Sequence, residues 1–388
     1  MTLFGRTALQ DTSLFGLSSQ NPARYFRVQF SGSGSEYLRI WIVNLLLTVL
    51  TLGLYLPFAK ARRLRYFYSN TLIDGQALSF HGKPWTMFRG YVLLMLLMGC
   101  YAVAGRFSPL AGGLAFLILG AIWPALWRAS LQFRLANTSW RGLRLRFEGG
   151  LAGAYLAMAP SYVPVLLMVL AGSLWPEALQ EGSKAEFGPG HVLVLLAFAL
   201  GVLLLPLSLA LIKRYQHGHY AMAAQRTRLL AGPREFYLLG FKLLGLLLLY
   251  IAAFVGLAAI SFSLKSMVLF VLLALGFYLG LALLLGAFFS ARLQNLVWNR
   301  TRSEELRFDS DLSARALAWL SLKNWLFTLL TLGLYRPFAA VNTARLRLEA
   351  MRLRVQGELD GWVAEQSLQQ PDAAGEAAGD FFGIDMGL

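Results

Sequence analysis

Residues able to do chemistry are sparse in this chain of 388 residues. The four histidines are His81, His191, His217 and His219. His217-Gly218-His219 brings two imidazoles close together, but not at the spacing that puts two ligands on one helix face, and no carboxylate is near in sequence. A polar loop is expected there, and no metal site. The single cysteine, Cys100, excludes an intramolecular disulfide and a four-cysteine zinc site, and it lies in an apolar run where a thiol simply packs. No P-loop, GxSxG elbow or HExxH occurs. Ser31-Gly32-Ser33-Gly34-Ser35 lacks the Lys and helix start of a phosphate loop and reads as a connector. With no nucleophile beside a base, catalysis and cofactors are not expected.

What remains is binding chemistry. Lys60, Arg62, Arg63 and Arg65, interleaved with Tyr66, Phe67 and Tyr68, could hold anionic lipid headgroups, since each basic residue near an anionic leaflet contributes about 1 kcal/mol. Ordinary anchoring by basic loops and an interfacial aromatic belt is the plainer account. Asn44 and Asn324 lie within apolar runs, where an unsatisfied amide is costly, so each must pair with something. Hydrogen bonding between repeats is expected, with the lining of a solute path as the alternative.

The elements that position these groups are membrane segments. Hydrophobic residues make up 57% of the chain and charged residues 14%, with mean hydropathy +0.55, where soluble domains carry about 25% charged residues. A helix needs about 20 apolar residues to cross the hydrocarbon core. Six runs qualify, at 90–105, 110–127, 151–174, 192–212, 243–260 and 267–291. Two more, 38–59 and 316–340, are broken by Gly and Pro. No removable signal peptide is expected before residue 37.

Twenty-two Lys and Arg fall in four alternate loops and three in the loops between them, which by the positive-inside rule makes the basic loops cytoplasmic. In a membrane protein the net charge of +15 reports this asymmetry rather than nucleic-acid binding. The opposite loop 175–190 is net acidic. None of the twenty acidic residues lies inside a clear span; Glu36 borders the first broken run. That argues against proton-driven antiport and leaves Na⁺ sites of carbonyls and hydroxyls open.

The two broken runs are copies of one element 280 positions apart: Thr51-Leu52-Gly53-Leu54-Tyr55-Leu56-Pro57-Phe58-Ala59 and Thr331-Leu332-Gly333-Leu334-Tyr335-Arg336-Pro337-Phe338-Ala339. Asn44 and Thr48 recur as Asn324 and Thr328. A second register carries Pro57, Leu64, Asn70 and Thr71 onto Pro124, Leu131, Asn137 and Thr138, and Leu64 and Asn70 also match Leu293 and Asn299. The third basic loop fits poorly. Strand-like alternation follows or precedes these elements at 25–32, 77–82, 143–149 and 305–309. If these strands share one sheet, both ends of the first broken run lie on one side and the run is re-entrant. Six spans with two re-entrant segments, or eight spans, both fit. The Gly and Pro then mark either a turn or a kink, and the repeat interface is a candidate solute path.

The Thr-Leu-Gly-Leu-Tyr-x-Pro-Phe-Ala element, the basic stretch Lys60 to Gly75 and the Ser79-Phe80-His81-Gly82 strand together resemble the YjgN family of bacterial inner-membrane proteins, over about residues 22–362. The resemblance implies a multi-pass inner-membrane location and supplies no catalytic or binding residue. The second copy departs from the first where Ala340-Val341-Asn342 replaces Lys60-Ala61-Arg62, and the chain adds an acidic tail, with seven acids and no Lys or Arg after Arg354.

The expected architecture is an all-α polytopic membrane protein with six to eight transmembrane or re-entrant segments and short cytoplasmic strands. A cytoplasmic segment with one strand occupies 1–36, a repeat-built membrane domain 37–362, and a disordered tail 363–388. The expected function is passage of a small anionic or amphipathic solute. A non-catalytic scaffold that binds anionic lipid is the rival. The path or turn residues are Asn44, Thr48, Thr51, Gly53, Tyr55, Pro57 and their copies Asn324, Thr328, Thr331, Gly333, Tyr335, Pro337; the headgroup contacts are Lys60, Arg62, Arg63 and Arg65. The lipid bilayer is the expected partner, with anionic lipid as a candidate component and no nucleic acid; the sequence names no protein partner.

Overall fold

The computed structural model describes residues 24–173, 188–355, 361 and 363–365. The loop 175–190 and the acidic tail therefore fall largely outside the described residues.

Strands and helical hairpins alternate along the chain. Strand β1 (Arg24–Phe30) leads into a short hairpin, α1 (Gly34–Leu50) and α2 (Leu56–Ser69). Strands β2 (Thr71–Ile73) and β3 (Gln76–Phe80) precede the long helices α3 (Pro84–Phe107) and α4 (Pro109–Ala136). Next come β4 (Thr138–Trp140), β5 (Leu143–Phe147), α5 (Leu151–Ser173) and α6 (Pro189–His217). After β6 (Tyr220–Met222), β7 (Gln225–Arg226) and β8 (Arg228–Leu229) come α7 (Pro233–Ser263), α8 (Met267–Gly280), a π-helical turn (Leu281–Leu285) and α9 (Gly286–Asn299). Strands β9 (Thr301–Arg302) and β10 (Leu306–Ser310) lead to a second short hairpin, α10 (Ala314–Leu330) and α11 (Arg336–Glu349), and β11 (Met351–Val355) ends the fold.

The expectation of an all-α chain is corrected here. The strands form one eleven-stranded sheet in the order β7-β6-β5-β4-β3-β2-β1-β11-β10-β9-β8, antiparallel at each pairing. Only Thr227 separates β7 from β8, so the sheet curls into a near-barrel. Individually the strands are two to seven residues long, too short to be stable alone; they persist because each is paired within the sheet, all but the end strands β7 and β8 on both sides. β1 does this by splitting its length, pairing with β11 through Arg24 to Arg27 and with β2 through Val28 to Phe30. The poorly fitting third loop also supplies its share, as β6, β7 and β8.

One backbone bond recurs at every helical hairpin. The residue after a strand donates its N–H to the carbonyl that closes the following hairpin: Ser31 to Asn70 at 3.0 Å, His81 to Asn137 at 2.8 Å, Glu148 to His219 at 3.0 Å, Leu230 to Arg300 at 2.9 Å and Asp311 to Ala350 at 3.0 Å. Each hairpin thus leaves the sheet and returns to the same point. For the two broken runs this puts both ends on the sheet side. The shared sheet on which re-entry of the first broken run was made to depend is there.

The Asn-Thr register marks these closures. A helix end leaves its last carbonyls unpartnered, and the side chains of Asn70 and Asn137 donate to the carbonyls of Tyr66 and Phe133, both at 2.8 Å. Thr71, Thr138 and Thr301 donate to Phe67, Arg134 and Val297, each at 2.7 Å. Opposite this cap, three strands end in Phe-x-Gly. The rings of Phe30, Phe80 and Phe147 fold back over Gly32, Gly82 and Gly149, where an added Cβ would meet ring carbons at 2.8, 2.5 and 2.6 Å.

Six helices among the described residues are long and apolar enough to cross a membrane: 84–107, 110–136, 151–172, 189–217, 233–263 and 267–299. All but 151–172 extend past their apolar runs at the sheet end, because those helices continue to the strands. Short α1 and α10 are not among them. Gly276 and Gly280 lie where α7 and α8 meet: the Tyr250 side chain of α7 packs on Gly280 and donates to the Gly276 and Phe277 carbonyls at 3.3 and 3.2 Å.

Candidate functional site

The residues expected at the broken runs build two turns of one conformation. Thr51 and Thr331 end α1 and α10 with φ near −95° and −98°. Leu52 and Leu332 then take left-handed φ of 50° and 49°, and Gly53 and Gly333 take 91° and 95°. The Thr51 hydroxyl donates to Leu47 O at 2.7 Å and accepts the Tyr55 N–H at 3.0 Å; Thr331 does the same with Phe327 and Tyr335. The Gly53 and Gly333 amides reach back to Thr48 O and Thr328 O at 2.8 and 2.7 Å. Pro57 and Pro337 begin the return helices, where a missing N–H costs nothing. Leu52 and Leu332, each 94% exposed, crown tips whose amides are bonded within the hairpin. That is the condition for irregular backbone in a bilayer.

Asn44 and Asn324 sit one to two turns below the tips, buried. Their amides donate across the hairpin to Ala59 O at 3.4 Å and Ala339 O at 3.3 Å, and Asn324 also to Thr343 at 3.2 Å. The expected bond between repeats is corrected: each Asn clasps its own hairpin, because the tight turn brings the two helices alongside. Thr48 is equally local, donating to Asn44 O at 2.6 Å.

The basic set divides. Arg62 and Arg63 are exposed on α2, their guanidinium groups over the rings of Tyr55 and Phe67 at 5.7 and 5.9 Å. Lys60 is half-buried on the same helix. Arg65 is tied into the fold, donating to the Gly82 carbonyl at 3.2 Å. Two further arginines do likewise at neighbouring junctions, Arg128 to Gly149 at 2.7 Å and Arg345 to Gly32 at 2.7 Å.

A site that sequence reasoning missed lies on the axis of the ring. Inward-facing residues of the strands enclose a cavity of about 330 Å³, walled by apolar side chains such as Trp140, Leu306, Phe308 and Leu353. Val363, past β11, packs against the same cluster. At the end nearest the helices the wall changes character, with Tyr68, Arg134 and Tyr220. Arg134 comes from the last turn of α4. Lys213, on α6, lies close enough to both Arg134 and Arg347 of α11 for their charges to act on it. Lys213 donates to Gln216 at 3.0 Å, and Arg347 to Gln294 at 2.9 Å. Among the described residues neither of these two cations meets a carboxylate. Burial holds the Arg347 pKa below its ordinary value and pushes the Tyr220 phenol up, against the opposing pull of nearby Arg134. His217 was expected in a polar loop; it is buried, its ring edge-on to Tyr220 and Trp298 at 5.1 and 5.0 Å, because α6 runs on to the sheet before it ends.

A chain with six membrane-length helices joined through one polar sheet is a multi-pass membrane protein. Residues 25–381 match the family described as "Bacterial protein of unknown function (DUF898)", and the chain belongs to it. It is similar to the "Inner membrane protein YjgN" of Salmonella typhimurium, 31% identical over 141 residues, which is 36% of this chain and 35% of that protein. The protein of the same name from Escherichia coli is 28% identical over 149 residues, 38% of this chain and 36% of that protein. Each match thus spans about a third of the relative's own length. No solved structure matches.

Proposed function

We propose that the protein binds and passes a small anionic or amphipathic solute along the axis of its ring, with the sheet facing the cytoplasm as the positive-inside bias implies. In this reading the helical hairpins are copies of one unit around that axis, and the chemistry is binding without catalysis, metal or cofactor. One observation carries it: basic side chains from α4, α6 and α11 converge where the apolar cavity meets the helices, with no carboxylate paired to Lys213 or Arg347 among the described residues. Buried like charges repel, so the fold maintains them at a cost that an anion would offset. The apolar wall above them suits a hydrocarbon tail.

The test is flux of octanoate into proteoliposomes, compared with protein-free vesicles. Saturable, protein-dependent uptake that falls at least tenfold in Lys213→Gln supports the reading. Uptake equal to that of empty vesicles, or unchanged by Lys213→Gln in a correctly folded sample, defeats it.

The scaffold reading keeps its own observation, the exposure of Arg62 and Arg63. Vesicles containing phosphatidylglycerol would then bind the protein through α2, and Arg62→Gln with Arg63→Gln would weaken that binding without altering octanoate uptake.

A further inference from the structure

The outer face of the sheet carries a row of arginines set directly against one another. Arg228 of β8 faces Arg302 of β9, Arg302 faces Arg307 of β10, and Arg307 faces Arg354 of β11. Side chains alternate along a strand, and Leu306, Phe308, Leu353 and Val355 point to the interior cluster, so these arginines point out. Like charges directly opposite each other destabilise a sheet. The row therefore weakens the fold unless something neutralises it.

Its neighbours divide into satisfied and unsatisfied members. Arg354 lies over the Tyr25 ring at 5.4 Å, and Arg226 of β7 pairs with Glu148 at 3.2 Å. Among the described residues no carboxylate pairs with Arg228, Arg302 or Arg307. These three, with Arg226, line a depression of about 420 Å³ at the corner where the two ends of the sheet meet. Glu304 is the one acid on its wall, so positive charge is in clear excess there. Gln225 and Ser303 add neutral hydrogen-bonding groups.

We infer that this depression binds a ligand carrying two or more phosphate groups. Adjacent strands lie about 4.8 Å apart, so the row presents forked guanidinium donors at that interval. Arginine rather than lysine is the residue suited to bidentate contact with phosphate oxygens. A single phosphate engages one or two of the three, whereas linked phosphates span the row and remove each repulsive contact. A soluble molecule and a lipid headgroup reaching up from the bilayer are the two sources of such phosphates, and the chemistry is shared.

The experiment uses full-length protein in neutral detergent, titrated with tripolyphosphate by calorimetry, beside nanodiscs with and without diphosphatidylglycerol. The soluble source predicts saturable tripolyphosphate binding much tighter than sulfate. The lipid source predicts retention of diphosphatidylglycerol over phosphatidylcholine. In either case Arg302→Gln with Arg307→Gln weakens binding at least tenfold, and the unliganded variant melts no lower than the parent because the repulsion is gone. Should that double variant fail to fold, Arg228→Gln alone gives the same reading in smaller measure. Neither ligand binding above the sulfate or phosphatidylcholine background, or equal binding by a folded variant, overturns the inference. Lys213→Gln leaves this binding intact, so its outcome is separable from that of the octanoate experiment.

Discussion

Arg345 donates from α11 to the carbonyl of Gly32 at 2.7 Å, joining the last helical hairpin to the junction that begins the first. Arg65 makes the same contact with Gly82, and Arg128 with Gly149. Arginine at this position is a latch between neighbouring units of the ring.

Arg345→Gln should therefore destabilise the fold by about 1.5–3 kcal/mol, the range for hydrogen bonds to charged groups. Thermal unfolding in detergent reads it, with exposed Arg63→Gln as a comparison that barely shifts. Equal shifts in the two variants would remove the latch.

The hairpin tips make a second prediction. Thr51→Val deprives the Tyr55 amide of its acceptor, and a buried unsatisfied donor costs about 1–3 kcal/mol. Thr51→Ser keeps the oxygen and should recover most of it. Melting in nanodiscs, where water cannot replace the hydroxyl, should separate the two, and Thr331 should behave as Thr51 does.

Gly53 and Gly333 hold φ of 91° and 95°, in the left-handed half of backbone space where a side chain costs about 1–2 kcal/mol. Alanine at either position should destabilise the fold by about 1–2 kcal/mol, read as a lowered melting temperature. A neutral Gly53→Ala would mean that the tip adopts another turn.

The Phe-x-Gly junctions predict a compensated pair. In Gly82→Ala the new methyl meets the Phe80 ring at 2.5 Å, so the substitution alone should destabilise the protein. Adding Phe80→Leu makes room, and the double variant should lose less than the two single effects summed. A strictly additive cycle would show that the ring moves aside freely.

Placement relative to the membrane is checked with single cysteines in a Cys100→Ala background. Ser33→Cys and Ser69→Cys should react with an impermeant maleimide from one side only, the same side, while Leu52→Cys at the tip should not react from either. Labelling of Ser33 and Ser69 from opposite sides would mean that α1 and α2 cross the bilayer together.

How far the sequence discloses this arrangement varies with the length over which a signal is spread. The six long helices are plain in their apolar runs, each averaged over sixteen or more residues. The Asn70-Thr71 and Asn137-Thr138 register locates helix ends, because the chemistry of capping is local. The ring is harder to see. Thr71-Leu72-Ile73 and Thr138-Ser139-Trp140 are too short for alternation to register, although Asp74-Gly75, both with positive φ, is the turn that two-residue hairpins favour. Hardest of all is the axial cluster. Arg134, Lys213 and Arg347 each look like one more basic residue in a loop, and only the closure of the ring makes them neighbours.

The pairing of Arg24 with Val355 and of Arg27 with Arg352 orders the making of the protein. Membrane helices can insert as they emerge, but β1 must wait for β11 until every other described element has been made. Until then β1 and β10 remain open edges, the kind on which chains pair wrongly. Completing translation of β11 and sealing the ring are consequently one event, so a prematurely terminated chain advertises itself by two open strand edges, one on β1 and one on β10.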